Sequence, residues 1–412
     1  MAFMRALRMG LGVALCLSAM SCGGGGDDTA GTPTTPPPPA PAANTASVIV
    51  DQGPTVNGSP LGSVNTLFTT VTVCVPGSTT SCQTIDHIQV DTGSYGLRLL
   101  APVLTVTLPV ETLSSGGSLV ECVQFVDGYS WGPVATADLT IAGETAKSVP
   151  VQSIGDSRFA AVPSQCSSTG GTQEDTVTSF GANGILGIGP FASDCGDCDT
   201  VANNLYYACA TTCTETTVPL AMQVPNPVTL FAADNNGIII DLPAAAAGGA
   251  LTLSGSLIFG IDTQSDNQSG TQTVLNVDDN GELAMTFNGQ TLANSFIDSG
   301  SNGIFFADNS ISTCTTSGFT TFYCPASTLN LGLSIQGVNG TMANNLVFSV
   351  GNAETMLNDN PTFNVFPELA GTLPAGNAGT FDYGLAFFYG KRVAVAVQGF
   401  MTSVGTGPYI AF

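Results

Sequence analysis

Two short segments constrain this chain more than anything else in it: Val90-Asp91-Thr92-Gly93-Ser94 and Ile297-Asp298-Ser299-Gly300-Ser301. Each reads as an aliphatic residue, Asp, a small hydroxyl residue, Gly and Ser. The match extends outward, since Gly96-Leu97 answers Gly303-Ile304 at the same offset. One copy alone would be a strand ending in a turn, because Asp, Ser and Gly are turn formers. Two copies with matched flanks read as a diverged internal repeat, each centred on an Asp. Two carboxylates brought together by a pseudo-dyad form an acid–base device, because like charges at short range cannot both ionise.

The sequence around the repeat is β-forming. Val71-Thr72-Val73, Leu251-Thr252-Leu253 and Val393-Ala394-Val395 are β-branched or alternating runs bounded by Gly, Asn and Asp turns. Leu275 to Phe287, with Asp279-Asn280-Gly281 inside it, predicts a hairpin. Helical periodicity is scarce, and its best candidate is Asn203 to Cys209. The chain is therefore expected to be all-β. Its length supports one large domain or two lobes, and the repeat selects two, divided near Gly260.

At this point the chain resembles the pepsin-like aspartic peptidases, in which two Asp-Thr/Ser-Gly motifs come from two lobes of one chain. Gly184-Ile185-Leu186-Gly187-Ile188-Gly189 is similar to the segment that passes behind the first Asp loop. Tyr383-Gly384-Leu385-Ala386-Phe387-Phe388 sits where the second lobe's equivalent belongs. Gly255 to Asp262 and Gly407 to Phe412 look like the strands that close the two lobes. The resemblance covers about Val48 to Phe412, and more narrowly points to an uncharacterised bacterial lipoprotein branch. It implies a bilobal acid-protease fold of two pseudo-symmetric, β-barrel-like lobes around a central cleft. The N-terminal lobe would span residues 48–260 and the C-terminal lobe residues 261–412.

The N-terminus reads as an export signal over residues 1–21, with Arg5 and Arg8 before a short apolar core, Met9 to Leu17. Ser18-Ala19-Met20-Ser21-Cys22 then has the arrangement of a lipobox, with Cys22 the lipidation site, although Ala19 stands where Leu is usual. The competing reading is an ordinary secretion signal followed by a chance Cys. Residues 22–47 would form the anchor and a disordered Gly/Pro-rich tether, including Pro36 to Pro39. The expected location is the bacterial cell envelope, on a membrane through the lipid.

Twelve cysteines are present. Setting aside Cys16 and Cys22 leaves ten, an even number expected to form five disulfides in an oxidising compartment. Cys74 and Cys82 could close a local loop, as could Cys314 and Cys324; Cys122 and Cys166 stand apart from the cluster Cys195, Cys198, Cys209 and Cys213. That cluster also matches a loose zinc spacing, but outside the cytosol thiols usually oxidise, and no metal or other cofactor is expected. The formal net charge of −23 excludes a nucleic-acid partner, which needs basic patches. Other catalytic classes fit poorly. His87 is the single histidine, and no Gly-x-Ser-x-Gly elbow, His-Glu-x-x-His or Gly-x4-Gly-Lys-Ser/Thr segment occurs. Asp278-Asp279-Asn280-Gly281-Glu282 hints at calcium, but a turn explains it more simply.

If the resemblance holds, Asp91 and Asp298 are the catalytic pair, sharing a proton and activating a water against a peptide carbonyl. Thr92 and Ser299 could tie the two loops together beneath the pair. Gly93 and Gly300 permit tight backbone geometry, and Ser94 and Ser301 could donate to the outer carboxylate oxygens. Gly187 and Gly384 would support the loops from behind. The family folds a hairpin with a Tyr over the cleft; here that stretch is Phe125 to Gly132, with Phe125 at the Tyr position and Tyr129 or Trp131 as substitutes. Asp382 is a second departure, standing where an apolar residue is expected, and no basic propeptide is evident. Peptide or protein substrates follow from the first reading, with a monomer the working expectation. The alternative is a catalytically reduced or inactive protein of the same fold that binds peptides or glycans in the cleft.

Overall fold

A computed structural model of the chain describes residues 43–412, apart from 126–127, 169–170, 271, 374–376 and 378. The expected export signal, Cys22 and most of the tether lie outside the described residues. The first strand, Thr45–Val50, already begins within the stretch expected to be tether.

The described chain is mostly β, in two large sheets. The larger has sixteen strands and holds most of those before Gly260. Leu67–Cys74 shows why such segments are strands: its side chains alternate between buried and more exposed positions. Gly184–Ile188 is instead buried throughout, as a strand covered on both faces must be. The sheet does not stop at Gly260. Gly237–Asp241 pairs antiparallel with Arg392–Ala396, which pairs with Tyr409–Ala411, which in turn pairs with Val274–Asn276. The last strands of the chain thus return to the sheet of the first half. The second sheet has seven strands, all after Gly260.

The two halves repeat one arrangement. Cys82–Asp91 ends on Asp91 and pairs in parallel with Gly184–Ile188, which pairs antiparallel with Tyr95–Leu100. Gln290–Ile297 ends one residue before Asp298 and pairs in parallel with Asp382–Tyr383, which pairs antiparallel with Ile304–Phe305. Each Asp loop is therefore backed by a strand passing between its two arms. One contiguous apolar core runs through both halves, from Val48 and Leu67 to Phe306 and Ile410. In the second half it is an aromatic nest, with Phe306 stacked on Phe381 at 5.1 Å and Phe348 edge-on to Phe381 and Tyr383.

Two local expectations change. Leu275 to Phe287 does contain a tight turn, closed by the Gly281 N–H to Asp278 carbonyl bond of 3.0 Å. Its arms part, however. Val274–Asn276 joins the larger sheet, whereas Leu283–Phe287 pairs with Gln290–Ile297 and Leu329–Gln336. Asn203 to Cys209 is not helical; Tyr206–Cys209 is a strand paired with Ser118–Gln124. Its two adjacent tyrosines favour a pleated, buried surface over a helix.

All ten cysteines expected to pair do so: Cys74–Cys82, Cys122–Cys166, Cys195–Cys198, Cys209–Cys213 and Cys314–Cys324. These bonds occupy the thiols of the 195–213 cluster that zinc would need. Cys122–Cys166 closes the longest loop, across 44 positions. Loop closure on that scale stabilises by about 4 kcal/mol in the chain-entropy account. Non-reducing peptide mapping should recover all five bonds, and the C122S/C166S double variant should lose about 2–4 kcal/mol of stability in denaturant titration.

Candidate active site

The motif chemistry builds each loop in the same way. The Gly93 N–H donates to Asp91 Oδ1 at 2.7 Å and the Ser94 hydroxyl to Asp91 Oδ2 at 2.5 Å. In the second half the Gly300 N–H donates to Asp298 Oδ1 at 2.8 Å and the Ser301 hydroxyl to Asp298 Oδ2 at 3.0 Å. Each carboxyl is thereby fixed at both oxygens by its own loop. Glycine in the backing strands is a matter of space. A Cβ on Gly187 would sit 2.5 Å from the Tyr95 nitrogen, and one on Gly384 would strike the Gly303 carbonyl.

Reciprocal hydrogen bonds join the loops. The Thr92 N–H donates to Ser299 Oγ at 3.1 Å, and the Ser299 N–H donates to Thr92 Oγ1 at 2.9 Å. The Ser299 hydroxyl also donates to the Val90 carbonyl at 2.9 Å. Gln89 adds a further tie, from its side-chain amide to the Gly300 carbonyl at 2.9 Å. The result is that Asp91 and Asp298 converge. Their carboxyls both lie against Gly300. A Cβ on Gly300 would lie 2.5 Å from Asp91 Oδ1 and 3.2 Å from Asp298 Oδ1.

Both carboxyls are buried, Asp298 completely. Burial, followed by the negative charges of Asp91 and Asp382 and the hydrogen bond to Asp91, holds Asp298 well above the usual carboxylate range; the Gly300 N–H opposes the shift. The two carboxyls form one acidic site. It opens on a cavity of about 380 Å³ lined by Thr92, Gly93, Tyr95, Phe191, Asp194 and Asp298, among others.

The three aromatic residues considered for a flap lie elsewhere. Phe125 packs edge-on to Phe180 in a cluster with Phe68 and Leu100. The Tyr129 hydroxyl reaches Gln173 Oε1 at 3.4 Å, and the Trp131 indole donates to the Phe159 carbonyl at 2.7 Å. None of the three lines the cavity. The strands flanking this turn do pair as a hairpin, with Cys122 opposite Trp131, although Val126 and Asp127 at its tip lie outside the described residues.

Tyr95 was not singled out in the sequence, yet it lines the cavity and feels the charge of both Asp91 and Asp298. Only its position beside the first motif could have marked it. Its carbonyl accepts from Arg98, a buried guanidinium that also binds Glu121 at 2.6 Å and Asp194 at 3.0 Å. Asp382 was noted only as a departure; it proves to be a third buried carboxyl bonded to Ser301. His87 belongs to neither loop. It contacts Asp51 at 3.3 Å and packs edge-on to Phe68. Asp278 accepts the N–H groups of Asn280 and Glu282, both at 2.8 Å, which is turn chemistry.

Residues 40–412 match a family described as protein of unknown function (DUF3443). The chain belongs to this family. A comparison with curated proteins finds no match.

The buried pair has a consequence for stability. Folding raises Asp298 above its unfolded value, so between the two values the folded form binds more protons. Stability from this group is present below the unfolded value and is lost as pH rises. The D298N variant should therefore melt higher than the wild type at neutral pH, by about 2 °C or more, with the gain gone near about pH 3. Thermal melts across pH check this; a variant that melts lower at neutral pH contradicts it.

Proposed function

We propose that this chain is an aspartic endopeptidase of the pepsin-like class, tethered to the bacterial cell envelope, with Asp91 and Asp298 as its catalytic pair. The observation that carries the reading is the contact of two buried carboxyls from loops of identical construction, at the edge of a cavity. The repeated strand arrangement around each Asp supports a bilobal fold of that class, with lobes 48–260 and 261–412. The strands shared across Gly260 would join the lobes.

The chemistry follows from one shared proton. A water bound between the carboxyls gives a proton to the ionised member as its oxygen attacks the peptide carbonyl. The protonated member supplies its proton to the carbonyl oxygen, giving a neutral tetrahedral diol. Collapse of the diol breaks the C–N bond: the departing amine takes the pair's proton and one diol hydroxyl returns its proton to the pair, leaving the carboxylic acid product and the pair again singly protonated. Fixed donors to every outer oxygen hold the carboxyls ready for this exchange, so little reorganisation accompanies the reaction.

A second reading is favoured by one observation: Phe125, Tyr129 and Trp131 pack in clusters of their own, and none of the three lines the cavity. A protein of this fold with reduced or lost catalysis could bind peptides or glycans there. A peptide-library cleavage assay from acid to neutral pH separates the two. Under the first reading, cleavage is bell-shaped in pH and greatest in acid, and D91N or D298N lowers kcat by about a thousandfold or more without loss of fold. Binding without cleavage by the wild type selects the second.

The five disulfides fit an oxidising, extracytoplasmic compartment. No helix among the described residues is long and apolar enough to cross a membrane. Attachment would instead run through lipid on Cys22. Mass spectrometry of the native N-terminus should find a diacylglyceryl-modified Cys22; an unmodified chain beginning elsewhere sinks this part of the proposal.

A further inference from the structure

Asp382 lies on the short strand Asp382–Tyr383 behind the second Asp loop. Its neighbours Phe381 and Tyr383 face the aromatic nest, and strand alternation turns Asp382 the other way, toward the carboxyl pair. It is 1% exposed. Its Oδ2 lies 2.6 Å from Ser301 Oγ, and that same oxygen lies 3.0 Å from Asp298 Oδ2. Asp382 Oδ1 has no hydrogen-bond partner among the described residues.

A count of protons follows from these contacts. A serine hydroxyl has one proton, so it can donate to only one of two carboxyl oxygens. The other oxygen must carry a proton and donate it to Oγ. Asp298 can accept at both oxygens, from Gly300 and Ser301. An ionised Asp382 would instead leave charge on a buried oxygen with no donor, a costly state. No ion pair among the described residues includes Asp382. The extra proton therefore belongs to Asp382.

We infer that Asp382 is a neutral, protonated carboxyl that acts as a positioning residue: it donates to Ser301 and so commits the Ser301 hydroxyl to Asp298. The site is then a chain of three carboxyls holding two protons, one shared by the pair and one on Asp382. Burial, and secondarily the charge of Asp91, favour that protonated state, with the Ser301 bond opposing. The titratable groups facing Asp382 are Asp298 and Asp91, with Tyr95 beside the pair. The flanking strands Gln290–Ile297 and Ile304–Phe305 carry none. In catalysis, which rests on the reading proposed above, the committed Ser301 donor steadies the singly ionised pair.

The test has two arms. Carbon-13 NMR of aspartate-labelled protein counts protonated carboxyls at neutral pH without any substrate. The wild type should show one beyond the pair's shared proton, absent from D382N and present in D91N. An unchanged count in D382N overturns the inference. If the wild type cleaves no peptide, the peptidase reading fails and this arm still decides Asp382.

In the second arm, pH profiles of cleavage are compared for D382N, D382L and S301A. The Asn amide still donates to Ser301, so D382N should leave the acid limb in place. Leu cannot donate, the singly ionised pair loses support, and the acid limb should move to higher pH. D382L should also lower kcat by about tenfold, the scale of a weakened hydrogen bond to a charged group. S301A should move the limb in the same direction, and the D382L/S301A double variant should be no worse than S301A alone. If Asp382 is ionised instead, D382N removes a negative charge beside the pair and the acid limb falls; that result, or additive losses in the double variant, overturns the inference.

Discussion

The reciprocal hydrogen bonds between Thr92 and Ser299 are the constraint on which the rest of the site depends. They join loops more than two hundred residues apart, in a buried setting where each unsatisfied N–H would carry a desolvation cost. Because each hydroxyl accepts from the other loop's backbone, the loops can meet in only one register. That register sets the two Asp side chains against each other. Moving either loop would orphan two buried N–H groups. The contact between carboxyls is thus imposed by the backbone beneath them, despite the unfavourable energy of the carboxyls themselves.

The backbone can impose it because the surrounding fold is stiff. Each loop lies over a strand that pairs with both of its arms, and Gly187 and Gly384 let that strand approach without a side chain between. Behind the second loop stands the Phe306, Phe348, Phe381 and Tyr383 nest, whose close packing leaves little freedom to relax. A site with like charges in contact is destabilising in itself. The large core, the sheet shared across Gly260 and the disulfides offset it.

Much of this was legible in the sequence because the loops are built from short-range chemistry. Asp, hydroxyl, Gly and Ser at fixed spacing determine the bonds from Gly93, Ser94, Gly300 and Ser301 locally, and the repeat announced that there were two such loops. What could not be read depends on long-range packing. Tyr206–Cys209 became a strand because Ser118–Gln124 lay free to pair with it. The arms of the Asp278 turn went to different sheets because their partners come from distant parts of the chain. The aromatic residues around Phe125 are spaced as a flap could be, but Phe180 and Tyr207 offered them buried partners. Tyr95 needed the position of the second loop to be recognised as facing the carboxyl pair.

The departures from symmetry explain how two equivalent motifs become unequal. By register, Ile185 pairs with Gln89 as Asp382 pairs with Phe296. The first loop therefore has an apolar side chain at the position where the second has a carboxyl. Asp298 is also the more deeply buried of the pair and feels Asp382 in addition to Asp91. Both differences disfavour charge on Asp298. Asp91 is held by its own loop alone, with Ser94 at 2.5 Å from Oδ2 and the Gly93 N–H at 2.7 Å from Oδ1. A pair built from a repeated motif is thus made unequal by a residue outside the repeat.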